Sequence, residues 1–139
     1  MKQELIDMIN NQSLLMEGRF IDQPVSPYVE KILNFAILVS YHIQGQLAGF
    51  IAYYCNDIDN KIAFLTMLCV KPEFSGKGIG HQLLNFSMED IKNKGFNSLH
   101  LEVKIDNHPA MNLYKRAGFE VTNSTGKLVL MIKNFGNEG

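Results

Sequence analysis

A glycine-rich segment between two apolar stretches constrains this chain more than any other feature. Gly76, Gly78 and Gly80 alternate after a strand-like run that ends at Val70 and before an amphipathic, helix-like run. Glycines at such positions let backbone N–H groups converge and let a ligand approach closely. The start of the following helix adds unpaired donors and a positive dipole end. The segment predicts an anion site for a phosphate or pyrophosphate; a flexible turn without a ligand is the alternative.

The spacing of the glycines excludes two familiar nucleotide loops. A dinucleotide-binding fingerprint requires the pattern GxGxxG, but Gly80 comes one residue too soon and His81 stands where the third glycine would fall. A Walker loop requires Gly-Lys-Ser or Gly-Lys-Thr, and the sequence contains neither triplet. The segment is therefore expected to hold a phosphorylated ligand of another kind.

The apolar periodicity around this segment predicts an α/β fold of the mixed α+β type, in a single domain. Three strands joined by short polar turns form an antiparallel meander, and strands then alternate with helices. Ser26 is expected to cap the second helix, with Pro27 at its first position. The predicted helices are 2–16, 28–33, 78–94 and 109–117; residues 18–27 form a loop; the strands are 35–43, 47–54, 62–70, 99–103, 119–121 and 127–133, the last two joined across 123–126.

Composition excludes several classes of function. The 139 residues include 13 basic and 14 acidic side chains, without the basic excess that nucleic-acid binding usually requires. Cys55 and Cys69 form no CxxC pair and no Cys/His cluster with metal-ligand spacing, so no metal is expected. The N-terminus does not resemble a signal peptide, and no apolar stretch has the length of a membrane span. A cytoplasmic protein that contacts neither nucleic acid nor membrane is expected; a homodimer stays open.

Two segments resemble motifs of the GNAT superfamily of N-acetyltransferases. Val70-Lys71-Pro72-Glu73-Phe74-Ser75-Gly76-Lys77-Gly78-Ile79-Gly80 is similar to the family's Val-x-Pro followed by Gln/Arg-x-x-Gly-x-Gly/Ala. Asn107-His108-Pro109-Ala110-Met111-Asn112-Leu113-Tyr114-Lys115-Arg116-Ala117-Gly118-Phe119 is similar to its Asn-x-x-Ala-x-x-Leu-Tyr-x-x-x-Gly-Phe. The resemblance covers roughly residues 35 to 133. It departs from the family at Ser75, where Gln or Arg is usual.

The resemblance implies a fold and an activity. The fold would be a GNAT-like central mixed sheet of about six or seven strands with helices on both faces. Residues 1–34 would form a helical substrate-side segment, 35–133 the core and 134–139 a tail. The activity would be transfer of an acetyl group from acetyl-CoA to a primary amine of a small molecule or peptide, by direct attack in a ternary complex. The alternative is a non-catalytic acyl-CoA-binding or regulatory module.

The resemblance also implies which residues contact coenzyme A. The glycine-rich segment would hold the pyrophosphate, Asn107 would contact the pantetheine arm, and the backbone near Leu68 and Val70 would orient the thioester where two strands splay apart. Helix capping is the other reading of Asn107, and Lys115 and Arg116 are further phosphate candidates. The expected coenzyme A site comprises Leu68, Cys69, Val70, Ser75, Gly76, Lys77, Gly78, Ile79, Gly80, His81, Asn107 and Tyr114.

Acetyl transfer needs an acid for the departing thiolate and a neutral amine. Tyr114 is the expected acid because a phenol, with a reference pKa near 10, stays protonated at neutral pH; a core tyrosine is the alternative. Residues 64–70 contain no carboxylate, so Glu102, which shares a strand face with His100, is the expected base, directly or through water. A solvated face and a water chain to solvent stay open, and Cys69 as an acylated nucleophile is a minor alternative.

The acceptor side is expected at Gly18-Arg19-Phe20-Ile21-Asp22-Gln23-Pro24 and the first helices. Phe20, Tyr28, Tyr53 and Tyr54 either line a pocket or belong to the core, and Asp57 and Asp59 are candidates to attract a cationic amine. Size and near-neutral charge favour, slightly, an amino sugar or another small metabolite as acceptor.

Overall fold

The computed structural model of the chain describes residues 1–15 and 23–136, with only the backbone at positions 14 and 15. The order of helices and strands within these residues is the predicted one. The expected substrate-side residues Gly18, Arg19, Phe20, Ile21 and Asp22 lie outside the described part, as do residues 137–139 of the tail. The elements are α1 (Lys2–Leu15), α2 (Val25–Phe35), β1 (Ile37–Ile43), β2 (Gln46–Asp57), β3 (Ile62–Val70), a 3₁₀ turn (Pro72–Phe74), α3 (Ile79–Asn93), β4 (Ser98–Lys104), α4 (His108–Arg116), β5 (Glu120–Thr125) and β6 (Leu128–Asn134).

The strands form a six-stranded mixed sheet in the order β1-β2-β3-β4-β6-β5. All neighbouring strands pair antiparallel except β3 and β4, which are parallel. Parallel neighbours need a crossover, and α3 supplies it. The expected mixed α+β fold is confirmed. The glycine-rich segment connects the end of β3 to the start of α3.

Two apolar layers cover the two faces of the sheet. One contains the buried stripe of α3, including Leu84 and Ile91, together with Tyr114 of α4. The other contains α1 and α2, whose Leu5, Ile9 and Ile32 are fully buried. Each such aliphatic side chain stabilises the fold by about 1.5–3 kcal/mol relative to an exposed one. The helices thus lie on both faces, as predicted.

The second helix begins earlier than the sequence indicates. α2 starts at Val25, and its N-cap is Pro24, which makes no side-chain capping hydrogen bond. Ser26 and Pro27 therefore lie inside the first turn, and the prediction of a Ser26 cap is wrong. Proline is tolerated there because the first N–H groups of a helix have no intrahelical partner.

The last hairpin is also longer than predicted. β5 continues to Thr125, although the sequence predicts a turn over residues 123–126, and pairs with β6 from Glu120↔Ile132 to Thr125↔Leu128. Asn123, Ser124 and Thr125 have the composition of a turn, but strand pairing with β6 overrides that local preference.

A β-bulge in β3 lies where the sheet opens between β3 and β4. Ala52 pairs with Met67 and Tyr53 with Leu65, so Thr66 is the extra residue. The bulge turns Leu65 toward one apolar layer and Met67 toward the other. Pairing with β4 extends from Ile62↔Ser98 only as far as Leu65↔Leu101. Beyond that pair the two strands separate, which matches the expected splay and leaves a gap beside residues 66–70.

Candidate active site

The glycine-rich segment forms a turn that only glycine adopts readily. Gly76 and Gly78 have φ values of 77° and 79°, in the left-handed region. Gly78 is the N-cap of α3, without a side-chain capping bond, and the first helical bond runs from the Gln82 N–H to the Gly78 carbonyl at 3.0 Å. The N–H groups of the first turn therefore have no intrahelical partner and are available to an anion.

Ser75, at the position where the family motif has Gln or Arg, is hydrogen-bonded within this turn. Its hydroxyl donates to the Pro72 carbonyl at 2.8 Å, and its N–H donates to the same oxygen at 3.1 Å. The side chain closes the 3₁₀ turn and stabilises the approach to the glycines. The departure from the family motif leaves the backbone of the turn intact.

A cavity of about 480 Å³ extends from this turn along the end of β3 to α4. Every residue of the expected coenzyme A site lines it except Lys77, which is exposed. Arg116 also lines it, whereas Lys115 does not. Sequence reasoning missed Gln12, Phe74, Pro109, Ala110, Asn112 and Leu113. Ala110 and Leu113 lie inside the second motif, but Gln12 comes from α1, and only the packing of α1 beside the loop brings it there. We call this space the donor cavity.

A second cavity, of about 310 Å³, lies at the gap between β3 and β4 and is lined by residues of both strands. We call it the acceptor cavity; its lining includes Tyr28, Thr66 and Glu102. Both cavities border on the same four residues, which are Leu68, Asn107, Ala110 and Tyr114. Ligands that occupy the two cavities would meet at these residues.

Comparison with known proteins identifies the family. Residues 11–119 match the model of the Acetyltransferase (GNAT) family. The chain belongs to the GNAT family. It is 38% identical over 82 residues to an uncharacterised N-acetyltransferase, MJ1207, of Methanocaldococcus jannaschii, covering 56% of this chain and 36% of that protein. It is 37% identical over 76 residues to a putative [ribosomal protein bS18]-alanine N-acetyltransferase of Bacillus subtilis, covering 55% and 48%. The chain thus spans about a third to a half of the length of these curated relatives.

Solved structures share the fold over nearly the whole chain. The PaiA N-acetyltransferase of Thermoplasma acidophilum, in complex with coenzyme A, superposes with a TM-score of 0.80 at 24% identity, covering 96% of this chain and 92% of that one. PH1933 of Pyrococcus horikoshii superposes with a TM-score of 0.83 at 25% identity, covering 98% and 91%. The GNAT-like sheet expected from the motifs is confirmed.

Tyr114 of this GNAT protein lies on the wall common to both cavities. The residue is 6% exposed, and its ring meets that of Phe119 edge-on at a centroid distance of 5.6 Å. Within residues 1–15 and 23–136, no protein group hydrogen-bonds its hydroxyl. Burial, and to a smaller extent the neighbouring Tyr28, raises the pKa of the Tyr114 phenol. The phenol therefore stays protonated and can donate.

Glu102 and Asn107 occupy different parts of the site. Glu102 is exposed on β4, opposite Leu130 of β6, and lines the acceptor cavity. Asn107 is the N-cap of α4, where its Oδ1 accepts from the Ala110 N–H at 3.3 Å. It also borders both cavities, so the capping and ligand-contact readings of Asn107 are compatible. His100, whose pKa is lowered by burial, lines neither cavity.

Several other candidates belong to the core or lie elsewhere. Tyr53 is fully buried, and its hydroxyl donates to the Asp90 carboxylate at 2.7 Å. The Lys31 ammonium nitrogen lies 6.0 Å from the centroid of the Tyr54 ring. Neither tyrosine lines the donor or the acceptor cavity. Asp57 ends β2 and Asp59 lies in the turn before β3, at the end of β3 opposite the glycine-rich turn. Core packing, not acceptor binding, therefore explains Tyr53.

The Cys69 side chain is poorly suited to nucleophilic chemistry. It is 3% exposed and packs in the layer under α1 and α2, and burial raises the pKa of its thiol to about 12. Since the thiolate is the reactive form, Cys69 is nearly unreactive at neutral pH.

No helix in residues 1–15 and 23–136 is long and apolar enough to cross a membrane. The same residues contain no group of three or more His, Cys, Asp or Glu side chains placed to hold a metal ion.

Proposed function

We propose that this GNAT protein transfers an acetyl group from acetyl-CoA to a primary amine, by direct attack within a ternary complex. The observation that carries the proposal is the pair of cavities that border on Leu68, Asn107, Ala110 and Tyr114. A thioester entering along the donor cavity and an amine entering through the acceptor cavity would meet there. Relatives named as N-acetyltransferases and the coenzyme A complex of a protein with the same fold support this choice.

The donor would be held mainly by backbone groups. The free N–H groups at the start of α3 suit the pyrophosphate, because they point along a helix dipole whose positive end faces the anion. The segment 66–70 of β3 has no strand paired to it on the β4 side. Its main-chain groups on that side suit the amides of the pantetheine arm, which would lie in the gap as a substitute strand. An N–H near Leu68 would stabilise the oxyanion of the tetrahedral intermediate.

The Tyr114 hydroxyl would supply the proton for the leaving thiolate. The amine attacks the thioester carbonyl, the C–S bond breaks, and the sulfur takes the phenolic proton. A thiol with a reference pKa of about 8.5 leaves more readily when an acid is in place. The raised pKa of Tyr114 keeps the donor protonated throughout the physiological range.

Glu102 would remove the proton from the amine, through water. Its position on the lining of the acceptor cavity and its solvent exposure suit a relay to bulk water. The demand on this base depends on the acceptor. An α-amino group has a pKa of about 7.7–8.0, whereas a lysine side chain has a pKa of about 10.4. At pH 7.5 roughly a third of an α-amine, but only about one part in a thousand of a lysine side chain, is neutral.

We infer that the preferred acceptor is the α-amino group of a peptide or protein. One relative is named as a putative [ribosomal protein bS18]-alanine N-acetyltransferase. A second, from Schizosaccharomyces pombe, is named N-alpha-acetyltransferase 30 and is 38% identical over 56 residues, covering 40% of this chain and 37% of that protein. An exposed carboxylate as the only acid lining the acceptor cavity, within the described residues, suits an amine that needs little help to deprotonate. An amino sugar or other metabolite, which size and charge favoured slightly, is then the competing acceptor. The cytoplasmic location and the absence of a nucleic-acid partner also stay predictions.

Thiol release from acetyl-CoA tests the proposal against a panel of amines. The panel consists of an alanine-initiated peptide, the same peptide with a blocked N-terminus and an internal lysine, a polyamine and an amino sugar. We expect the free α-amine peptide to support the highest kcat/KM and the blocked peptide the lowest. If the amino sugar alone supports the highest kcat/KM, the choice of an α-amine acceptor is overturned. Stabilisation by coenzyme A without turnover with any amine would instead indicate the non-catalytic binding module.

A further inference from the structure

Tyr28 joins α2 to the point at which the sheet opens. It lies in the first turns of α2 and is 7% exposed. Its hydroxyl donates to the Thr66 carbonyl oxygen at 2.9 Å and lies 2.7 Å from Thr66 Oγ1. Both contacts span 38 residues of sequence. Tyr28 and Thr66 also line the acceptor cavity together.

Thr66 lies at the point where the gap between β3 and β4 begins. It is the bulged residue of β3, and pairing of β3 with β4 ends at the residue before it, Leu65. A bulged residue is left out of the regular hydrogen-bond ladder and bends its strand. A carbonyl in that position needs a partner, because a buried and unpaired polar group is costly. The Tyr28 hydroxyl is that partner.

The bulge also sets the position of the main chain in the residues that follow it. Leu68, one residue beyond Met67, borders on both cavities. A rotation of the Thr66 peptide would therefore move the main chain that borders on both the donor and the acceptor sides. Burial raises the pKa of the Tyr28 phenol to about 12, so its hydroxyl keeps its proton for this contact over the whole physiological range.

We propose that Tyr28 is a positioning residue whose hydroxyl holds the bulged Thr66 peptide and thereby sets the geometry of the gap between β3 and β4 where donor and acceptor meet. The structural part of this inference stands on the contacts alone, and its catalytic part rests on the proposed acetyl transfer. Tyr28 does not exchange a proton with either substrate in this role. It keeps the main chain in the orientation that the reaction needs, and Tyr114 acts as the acid.

The variant Tyr28→Phe removes one oxygen and keeps the ring in its apolar layer. Hydrogen–deuterium exchange would be compared over residues 64–70 and, as an internal reference, over α3. Tyr54→Phe is the matched control, because Tyr54 lies on β2 beside this region but lines neither cavity. Thr66→Val is a milder second variant that removes one of the two partners of the Tyr28 hydroxyl. Kinetics with acetyl-CoA and the best acceptor, and the dissociation constant of coenzyme A, complete the comparison.

We expect exchange in residues 64–70 to become roughly tenfold faster in Tyr28→Phe, with α3 unchanged, because the local opening loses one constraint. We expect kcat to fall by about 10- to 100-fold, since a small misplacement of the reacting groups is enough for such a loss. The dissociation constant of coenzyme A should rise by only about threefold, because the pantetheine arm would lie along the displaced residues 66–70 while the glycine-rich turn that would hold the pyrophosphate is untouched. Thr66→Val should show the same pattern at smaller size, and Tyr54→Phe should match the wild type.

Unchanged exchange in residues 64–70 would overturn the structural inference, whether or not the protein is an acetyltransferase. Faster exchange throughout the chain, with kcat equal to that of Tyr54→Phe, would show an ordinary core contact and overturn the positioning role. Faster local exchange with an unchanged kcat would overturn the catalytic part. A wild type without turnover would refute the proposed function instead, and the exchange measurement would still decide the role of Tyr28.

Discussion

The conformation of Gly78 allows a prediction whose size follows from the backbone alone. Gly78 has φ 79° and ψ 12°, and a Cβ added there meets no atom within 4 Å. The variant Gly78→Ala therefore creates no clash, and its whole cost is the left-handed backbone. That conformation costs about 1–2 kcal/mol for a residue with a Cβ. The less flexible unfolded chain of the variant offsets about 0.4–1 kcal/mol. A net loss of about 1 kcal/mol in the free energy of unfolding is expected.

Gly80, two residues later, provides a matched control. It lies in the first turn of α3, without a positive φ, and an added Cβ would be 3.5 Å from Leu113 Cδ2, an ordinary contact. Alanine is favoured over glycine in a helix by roughly 0.5–1 kcal/mol. Gly80→Ala should therefore be neutral to stabilising. The same substitution at two neighbouring glycines of one turn thus has opposite expected effects on stability.

Thermal unfolding of the two variants without ligand measures this difference. For a chain of this size 1 kcal/mol corresponds to about 3–5 °C, so Tm should fall by about that amount in Gly78→Ala and should not fall in Gly80→Ala. Addition of coenzyme A should stabilise Gly78→Ala less than the wild type, since any relaxation of the turn reorients the N–H groups at the start of α3. Equal Tm losses in the two variants, or an unchanged Tm in Gly78→Ala, would refute the assignment of the cost to backbone conformation.

Three further predictions test the site and its surroundings. Asn107→Ala should lower the free energy of unfolding by about 1 kcal/mol through loss of the α4 cap, whereas Asn107→Ser should keep that stability. If both variants raise the KM for acetyl-CoA, the Asn107 amide also contacts the ligand. Kinetics equal to those of the wild type would limit Asn107 to capping. Cys69→Ala should keep kcat within about threefold of the wild-type value, because the buried thiol is protonated. Mass spectrometry of the wild type should find no acetyl-enzyme. A stoichiometric acetyl adduct on Cys69 would contradict direct transfer. The folded-state pKa of Tyr28 is raised from 10.0 to about 12, so its contribution to stability is complete below pH 10 and is lost as the pH rises toward 12. Urea unfolding measures how far the free energy of unfolding falls between pH 9.5 and pH 11.5. This fall should be about 2 kcal/mol smaller in Tyr28→Phe than in the wild type, and equal falls would contradict the raised pKa.

The order of elements and the loop could be predicted because each has a local cause. Helical and strand periodicities reflect burial on one face, and the glycines at 76 and 78 occupy backbone conformations that other residues rarely adopt. The second motif predicts Asn107 at the start of one helix and Tyr114 further along it, and the structure brings both to the wall between the cavities. Each of these features depends on residues that are close together in the sequence.

The bulge at Thr66 and its contact with Tyr28 could not be predicted in the same way. Ala63, Leu65, Met67 and Cys69 alternate with other residues as in a regular strand, although the bulge sends the first two and the last two to opposite layers. Both faces of the sheet are covered by apolar layers, so the switch leaves no mark in the hydrophobic pattern. The role of Tyr28 depends on a contact across 38 residues, and Gln12 reaches the donor cavity only through the packing of α1.

The role of Tyr114 is tested most directly by the kinetics of Tyr114→Phe with acetyl-CoA and the best acceptor of the panel. The variant loses only the hydroxyl that would protonate the thiolate, and the T-shaped ring contact with Phe119 is kept. Tyr41→Phe serves as the control, because Tyr41 lies on β1 and lines neither cavity. We expect kcat of Tyr114→Phe to fall at least about a hundredfold, with the dissociation constant of coenzyme A nearly unchanged. A kcat within a few-fold of both the wild type and Tyr41→Phe would contradict the assignment of Tyr114 as the acid at the meeting point of the two cavities.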